Sequence, residues 1–282
     1  MGKEGEKVKK HVVKGSIYAL DHINVAYAVC TIEQTTYEDE TFRYLFRPHY
    51  DIINLCHPSF FQGIPGLHLD LKKETYVREN KTPTFIYERT PQENREDLWD
   101  LLQEVNMEYL DKLEWLIRTD KVYTGDRLVV RRYQAPATKD NLDNIVHGDV
   151  IRIRTIDEHC KSTFEKLKTL LTIITTGASL EAHDMSIHPG NREDAYKIVY
   201  NLYKTEYLKR KEKQQKGIQQ ARQNNVYKGR KKIPVSKPKL EEVIARMDRK
   251  EITAKEAAAI LQLGSLSTLY RRIKEFKSTT GT

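Results

Sequence analysis

Two groups of residues near the carboxy-terminal end carry the types and spacing that could do chemistry. Lys228-Gly229-Arg230-Lys231-Lys232 sets four cations around a glycine, with Pro234 soon after. An extended basic stretch of this kind can enter a minor groove, where cations meet enhanced negative potential over narrow A·T-rich segments. A flexible cationic linker is the alternative use of the same residues. Further on, Ser265, Ser267 and Thr268 precede Tyr270, Arg271 and Arg272. Short hydroxyls permit close approach to base edges in a major groove, and arginine pairs with guanine or with phosphate.

Such groups need a scaffold, and the flanking sequence describes one. Leu240, Val243, Ile244 and Met247 fall at i, i+3, i+4 and i+7, the apolar stripe of a first helix. Thr253-Ala254-Lys255-Glu256 is a capping box opening a second helix, whose Ala257, Ala258, Ile260 and Leu261 form a small packing face. Leu263-Gly264 reads as a tight turn and Ser265 as the cap of a third helix, with Leu266, Leu269, Ile273 and Phe276 on its buried side. Ser267, Thr268, Arg271, Arg272 and Lys274 are left pointing outward. The expectation is an all-α helix-turn-helix domain over 238–282 behind a basic arm over 225–237. A three-helix bundle that binds protein is the alternative.

The charge distribution agrees with a nucleic-acid contact at this end. Residues 201–282 hold 21 Lys and Arg against 8 Asp and Glu, so with a whole-chain charge of +8 the first 200 residues are net acidic. A mildly acidic body with a basic tail is the layout of a protein that touches nucleic acid through the tail. No apolar run approaches the ~20 residues needed to span a bilayer, and the first residues lack an apolar signal core, so a cytoplasmic protein without membrane contact is expected. Cys30, Cys56 and Cys160 form no CxxC pair and read as reduced thiols.

Upstream of the arm the pattern is also regular. Gly148-Asp149 leads into an alternating strand, Val150–Thr155; a helix follows from about Ser162 to Thr176 with Gly177 as its cap, then a strand over 178–183. This order predicts a βαβ unit with a parallel sheet. Asn191-Arg192-Glu193-Asp194 then opens a helix expected to run over 191–224, about 50 Å at 1.5 Å per residue. Tyrosines at 196, 200, 203 and 207 form a stripe on it that reads as packed core or dimer interface, while from Leu208 onward it is too polar to bury any face. Ile198, Val199 and Leu202 predict self-association as a homodimer.

Arm and helix-turn-helix, as Gly229-Arg230-Lys231-Lys232, Thr253-Ala254-Lys255-Glu256-Ala257-Ala258 and Leu266-Ser267-Thr268-Leu269-Tyr270-Arg271, resemble the carboxy-terminal domain of resolvase/invertase-type serine recombinases. The resemblance extends upstream over about residues 139–277: a Gly-Asp turn, a strand, a helix, a strand and a long dimerising helix precede the arm in that family. It implies an α/β segment over 139–224 with a partial resolvase-like parallel sheet, and double-stranded DNA as partner. It also implies chemistry in which a serine on the first strand breaks the DNA backbone, assisted by arginines that hold the attacked phosphate.

That chemistry transfers poorly. Asp157 matches the family's acidic position, but Glu158 stands at the adjacent arginine position and Lys161 at the later one. Glutamate repels phosphate, and lysine cannot reproduce a bidentate guanidinium clamp. No serine occurs from Phe60 to Cys160, where the nucleophile is expected, and Ser16 and Ser59 lie far upstream. The resemblance therefore implies a DNA-binding relative with a degenerate catalytic site, acting as a regulator or accessory factor of a mobile element. An active recombinase with a diverged site is the alternative.

Residues 1–135 read as a separate α+β domain of unassigned role, with a boundary near 135 and a linker over Gln134–Thr138; it would bring a protein partner or stabilise the dimer. Short strands are expected between Ile17 and Phe46, a turn-rich loop at Phe60–Gly66, and helices after Pro91 and around Tyr109–Ile117. An enzyme of unrelated chemistry here would rest on His22, His49, Cys56, His57 and His68, which lack a paired metal-ligand spacing. No Gly-x-Gly-x-x-Gly, Walker or Gly-x-Ser-x-Gly pattern occurs, and neither cofactor nor metal is expected.

Overall fold

Alternating β-branched and aromatic residues build the first half. A computed structural model of the chain describes residues 8–70, 73–224 and 234–280, with side chains in the last helix through Lys277. Its first elements are β1 (Lys9–Leu20), β2 (Ala26–Tyr37), β3 (Phe42–Pro48), α1 (Tyr50–Ile53), β4 (Tyr76–Glu79), α2 (Thr84–Tyr87), α3 (Leu98–Glu104), α4 (Lys112–Thr119) and β5 (Leu128–Arg132). The five strands form one antiparallel sheet in the order β4-β3-β2-β1-β5. The β1–β2 hairpin is set by Asp21, whose Oδ1 accepts from the amides of Ile23 and Val25 at 2.9 and 2.8 Å. Asn24 completes that turn in the left-handed region, which asparagine tolerates. The loop Phe60–Gly66 is a packed connector, with Phe61 and Ile64 in the core.

The second half follows the expected order. It contains β6 (Thr138–Lys139), β7 (Val150–Arg152), α5 (Thr163–Thr176), β8 (Ser179–Glu181), β9 (Ser186–Ile187) and the long α6 (Arg192–Gln223). β6, β7 and β8 are parallel, β9 is antiparallel, and α5 is the crossover between β7 and β8. Ser162 caps α5 by accepting from the Glu165 amide, and Gly177 ends it at φ 82°. A Cβ at Gly177 would run into the His147 ring, so the position favours glycine on steric as well as conformational grounds. Both β7 and β8 are shorter than their alternating residues led one to expect: beyond Arg152 and Glu181 the regular ladder gives way to two irregular bonds, from the Ile153 amide to Glu181 O at 3.2 Å and from the His183 amide to Arg154 O at 3.0 Å.

The boundary expected near residue 135 is not one between separate cores. One compact unit runs to Glu212, and a second from Lys213. A single apolar cluster joins Ile17, Tyr27, Phe46 and Ile117 to Ile151, Leu171, Ile174, Leu180 and Tyr203. The presumed linker contributes β6, and Asp149 of the Gly-Asp turn is fully buried behind it. The Asp149 carboxylate accepts from the amides of Ala137 and Val146 at 2.8 and 2.9 Å and pairs with Lys139 at 2.7 Å. A buried carboxylate satisfied in this way fixes its loop.

α6 lays its tyrosines on the first unit. The hydroxyls of Tyr196 and Tyr27 are 2.8 Å apart, Tyr200 donates to Asp21 at 3.0 Å, and Tyr203 stacks on Phe164 at 5.3 Å. The stripe is therefore intramolecular core. Val199 is half-buried with it, whereas Ile198 and Leu202, one turn apart, are 63% and 54% exposed. Among the described residues no helix is long and apolar enough to cross a membrane.

Residues 234–280 form three helices, α7 (Lys237–Asp248), α8 (Ala254–Ile260) and α9 (Leu266–Thr280). They close on their own core of Leu240, Val243, Ala257, Ala258, Leu261, Leu263 and Leu269. The chain is thus a mixed α and β protein with a separate helical unit.

Candidate nucleic-acid interface

The helical unit is held by short-range bonds that its residue types dictate. Thr253 and Glu256 exchange the two bonds of a capping box: the Thr253 amide donates to the Glu256 carboxylate at 2.7 Å, and the Glu256 amide donates to Thr253 Oγ1 at 3.3 Å. The Thr253 backbone N–H, followed by its hydroxyl, holds the Glu256 carboxyl below its ordinary range.

The turn into α9 differs from the sequence expectation. Gln262, not Gly264, takes the left-handed conformation at φ 52°. The Leu263 amide donates to Ala258 O at 2.9 Å and the Gln262 amide to Ala259 O at 3.0 Å, a Schellman closure with Leu263 buried beneath it. The same closure ends α7, where Lys250 is left-handed and the Glu251 amide donates to Arg246 O at 2.9 Å. Neither position is a glycine, which is why a glycine-based search for the turn points two residues late.

Ser265 caps α9 as expected: its hydroxyl accepts from the Thr268 amide at 3.3 Å and lies 3.0 Å from the Thr268 hydroxyl. Leu269 is fully buried on one side of the helix. On the other side Leu266, Ser267, Tyr270, Arg271 and Lys274 are exposed at i, i+1, i+4, i+5 and i+8, one continuous face.

Two residues change places relative to the sequence reading. Leu266, expected in the core, is 44% exposed, and Arg272, expected outward, has a side chain 15% exposed and paired with Glu275 at 3.3 Å. Thr268 is half-buried. Ser267, Tyr270 and Arg271 are thus presented outward, Ser265 caps the helix, and Arg272 fastens it. Lys228, Gly229, Arg230, Lys231 and Lys232 lie outside the described residues.

The positions matched to the recombinase catalytic site are placed elsewhere, in the exposed turn before α5. Asp157 pairs with Lys166 at 2.8 Å and Glu158 with Arg154 at 3.6 Å. The Lys161 amide donates to Glu165 at 2.8 Å. Among the described residues no hydrogen bond or ion pair joins any of the three to a serine, and Ser16 is 8% exposed within β1 between β2 and β5.

The histidines of the first unit do not gather into a metal site. His57 Nδ1 is 2.8 Å from Ser59 Oγ, while His49 is buried with Nδ1 2.8 Å from Ala28 O and Nε2 3.0 Å from Thr31 Oγ1. Among the described residues no group of three or more His, Cys, Asp or Glu could hold a metal ion. No family model matches the chain, and no curated protein matches it.

Proposed function

We propose that this chain is a sequence-specific double-stranded DNA-binding protein related to resolvase/invertase-type serine recombinases. In this reading it acts as a regulator or accessory factor of a mobile element rather than as a strand-exchange enzyme. The observation that carries it is the outward face of α9, where a hydroxyl, an aromatic ring and two cations sit on one side of a capped helix whose other side is core. The basic balance around it supports the same reading: residues 213–282 hold 17 Lys and Arg against 6 Asp and Glu. The salt-bridged, exposed setting of Asp157 and Glu158 supports the absence of strand exchange.

The test is selection of a binding site from random duplexes by the full chain, followed by titration and by denaturing electrophoresis of the complex. Arg271→Ala is expected to relax preference at one base position at a cost of about 1–3 kcal/mol, the range of a lost bidentate base contact. Arg230→Ala and Lys232→Ala are expected to weaken binding uniformly and flatten its salt dependence. Unchanged binding in all three removes the assignment. A covalent protein–DNA species would instead establish an active recombinase.

Exposed Ile198 and Leu202 support a homodimer through α6, with paired α9 helices on paired half-sites. Sedimentation at micromolar concentration is expected to show a dimer, and the double variant Ile198→Lys, Leu202→Lys a monomer. A wild-type chain that sediments as a monomer overturns the dimer.

A further inference from the structure

The outward face of α9 contains more than polar groups, and among the described residues its apolar members stand outside the packed core of the helical unit. Among the described residues 234–280, the exposed large apolar side chains are Leu266 and Tyr270, 44% and 55% accessible. They lie one helical turn apart on the same face as Ser267, Arg271 and Lys274. Leu266 is at the very start of the helix, the end that enters deepest when a helix docks into a major groove. Cations at 271 and 274 continue the face toward the other end, complementary to a polyanion rather than to an apolar protein surface.

We infer that Leu266 and Tyr270 read thymine, by packing against its 5-methyl group in the major groove, while Arg271 supplies the polar contact beside them. The inference rests on the proposed DNA-binding function and names what the half-site must contain. The methyl group is the one apolar feature that a base pair presents in that groove, and it distinguishes T from C and from the other strand's purine. A leucine left exposed at this place has little to gain from water and much from such a methyl.

The experiment takes the half-site selected by the full chain and replaces each thymine in turn by deoxyuridine, which removes the methyl and leaves base pairing intact. Fluorescence anisotropy is expected to show one or two positions at which wild-type affinity falls about fourfold per methyl lost, the worth of burying one carbon of that size. Leu266→Ala is expected to lose a similar factor on the thymine site and to become indifferent to deoxyuridine at its position; Tyr270→Ala does the same at the neighbouring one. Placing 5-methylcytosine for cytosine in the same groove position, in a C·G variant of the site, should recover part of the loss.

A selected site at which every thymine tolerates deoxyuridine overturns the inference and leaves DNA binding standing. So does a deoxyuridine penalty undiminished in both alanine variants. The deoxyuridine arm alters no protein atom, so misfolding of a variant cannot imitate it. Failure to select any sequence removes the DNA reading and this inference with it.

Discussion

Arg192→Met lowers the unfolding free energy of the first unit by roughly 3 kcal/mol, at the lower end of what breaking a buried ion pair costs. Arg192 is the first residue of α6 and is 3% exposed. Its guanidinium donates to Asp51 after α1 begins, and to the carbonyls of Gly177 and Ala178 at 3.1 Å each. One side chain thus ties the long helix to the turn that ends α5 and to the segment following β3. Burial disfavours the charged guanidinium and lowers its pKa, with Asp51 opposing that shift. Methionine fills similar space but takes the guanidinium donor from both carbonyls, leaving Gly177 O with the long bond from the Gly148 amide at 3.4 Å, and leaves Asp51, among the described residues, with only His147 as an ion-pair partner, 3.7 Å away. Asp51 is 42% exposed, so water recovers part of its solvation, which places the expectation at the low end. Both tryptophans, Trp99 and Trp115, belong to this unit, so urea denaturation followed by fluorescence reads it directly. A loss below 1 kcal/mol would show that the three contacts do not hold these segments together.

Acid weakens the same unit through His49. Burial, and secondarily the stacked ring of His147 3.5 Å away, push the His49 pKa down from 6.5 to about 4. Donation from Nδ1–H to Ala28 O and acceptance by Nε2 from the Thr31 hydroxyl satisfy the neutral ring completely. Protonation would bring a charge into this site and turn the accepting nitrogen into a donor. Because the folded pKa is depressed, the stabilisation is fully present above the unfolded value of 6.5. It is lost as pH falls, until the folded form also protonates near 4.

The shift of about 2.5 units amounts to about 3 kcal/mol across that window. Asp51 nearby opposes part of the effect by favouring a charged His49. Burial raises the Asp51 carboxyl, but His147 and Arg192 outweigh it and hold the group below its ordinary value. It therefore stays ionised through the window. Urea midpoints of the wild type between pH 7 and 4 are expected to fall steeply, and those of His49→Gln, which cannot take a proton, more shallowly. Equal slopes would assign the acid sensitivity to other groups.

Several features were readable in the chain before any fold was known. Ser162 and Gly177 bracket α5, Thr253 with Glu256 opens α8, and Ser265 opens α9, each through bonds to residues three to five positions away. The tyrosine spacing on α6 marked a packed face, and the parallel pairing of β7 with β8 followed from the strand, helix, strand order. The concentration of cations at one end needed only counting. What these share is locality: the energy that decides them is exchanged within one or two helical turns, or is the sum of charges, so neighbouring residues contain it.

The tertiary structure decided the rest. That residues 8–135 share a core with 138–212 depends on Ile17, Tyr27 and Phe46 meeting Ile151, Ile174 and Tyr203, contacts between segments more than a hundred residues apart. Asp149, readable as part of a turn before a strand, is also a buried anchor for β6, because three donors converge on it in space. Leu266 and Arg272 exchanged their expected places: Leu266 stands exposed in the first turn of α9, while Arg272 lies largely covered and paired with Glu275. Apolar periodicity says that a helix has a buried side; which residues at the edge of that side remain covered is fixed by the shape of the elements packed against it. By itself, then, the sequence determined the local elements, their caps and the polarity of charge along the chain. Partnership between distant segments, and the identity of the side chains presented on α9, were decided only where long-range packing chose among faces that are locally equivalent.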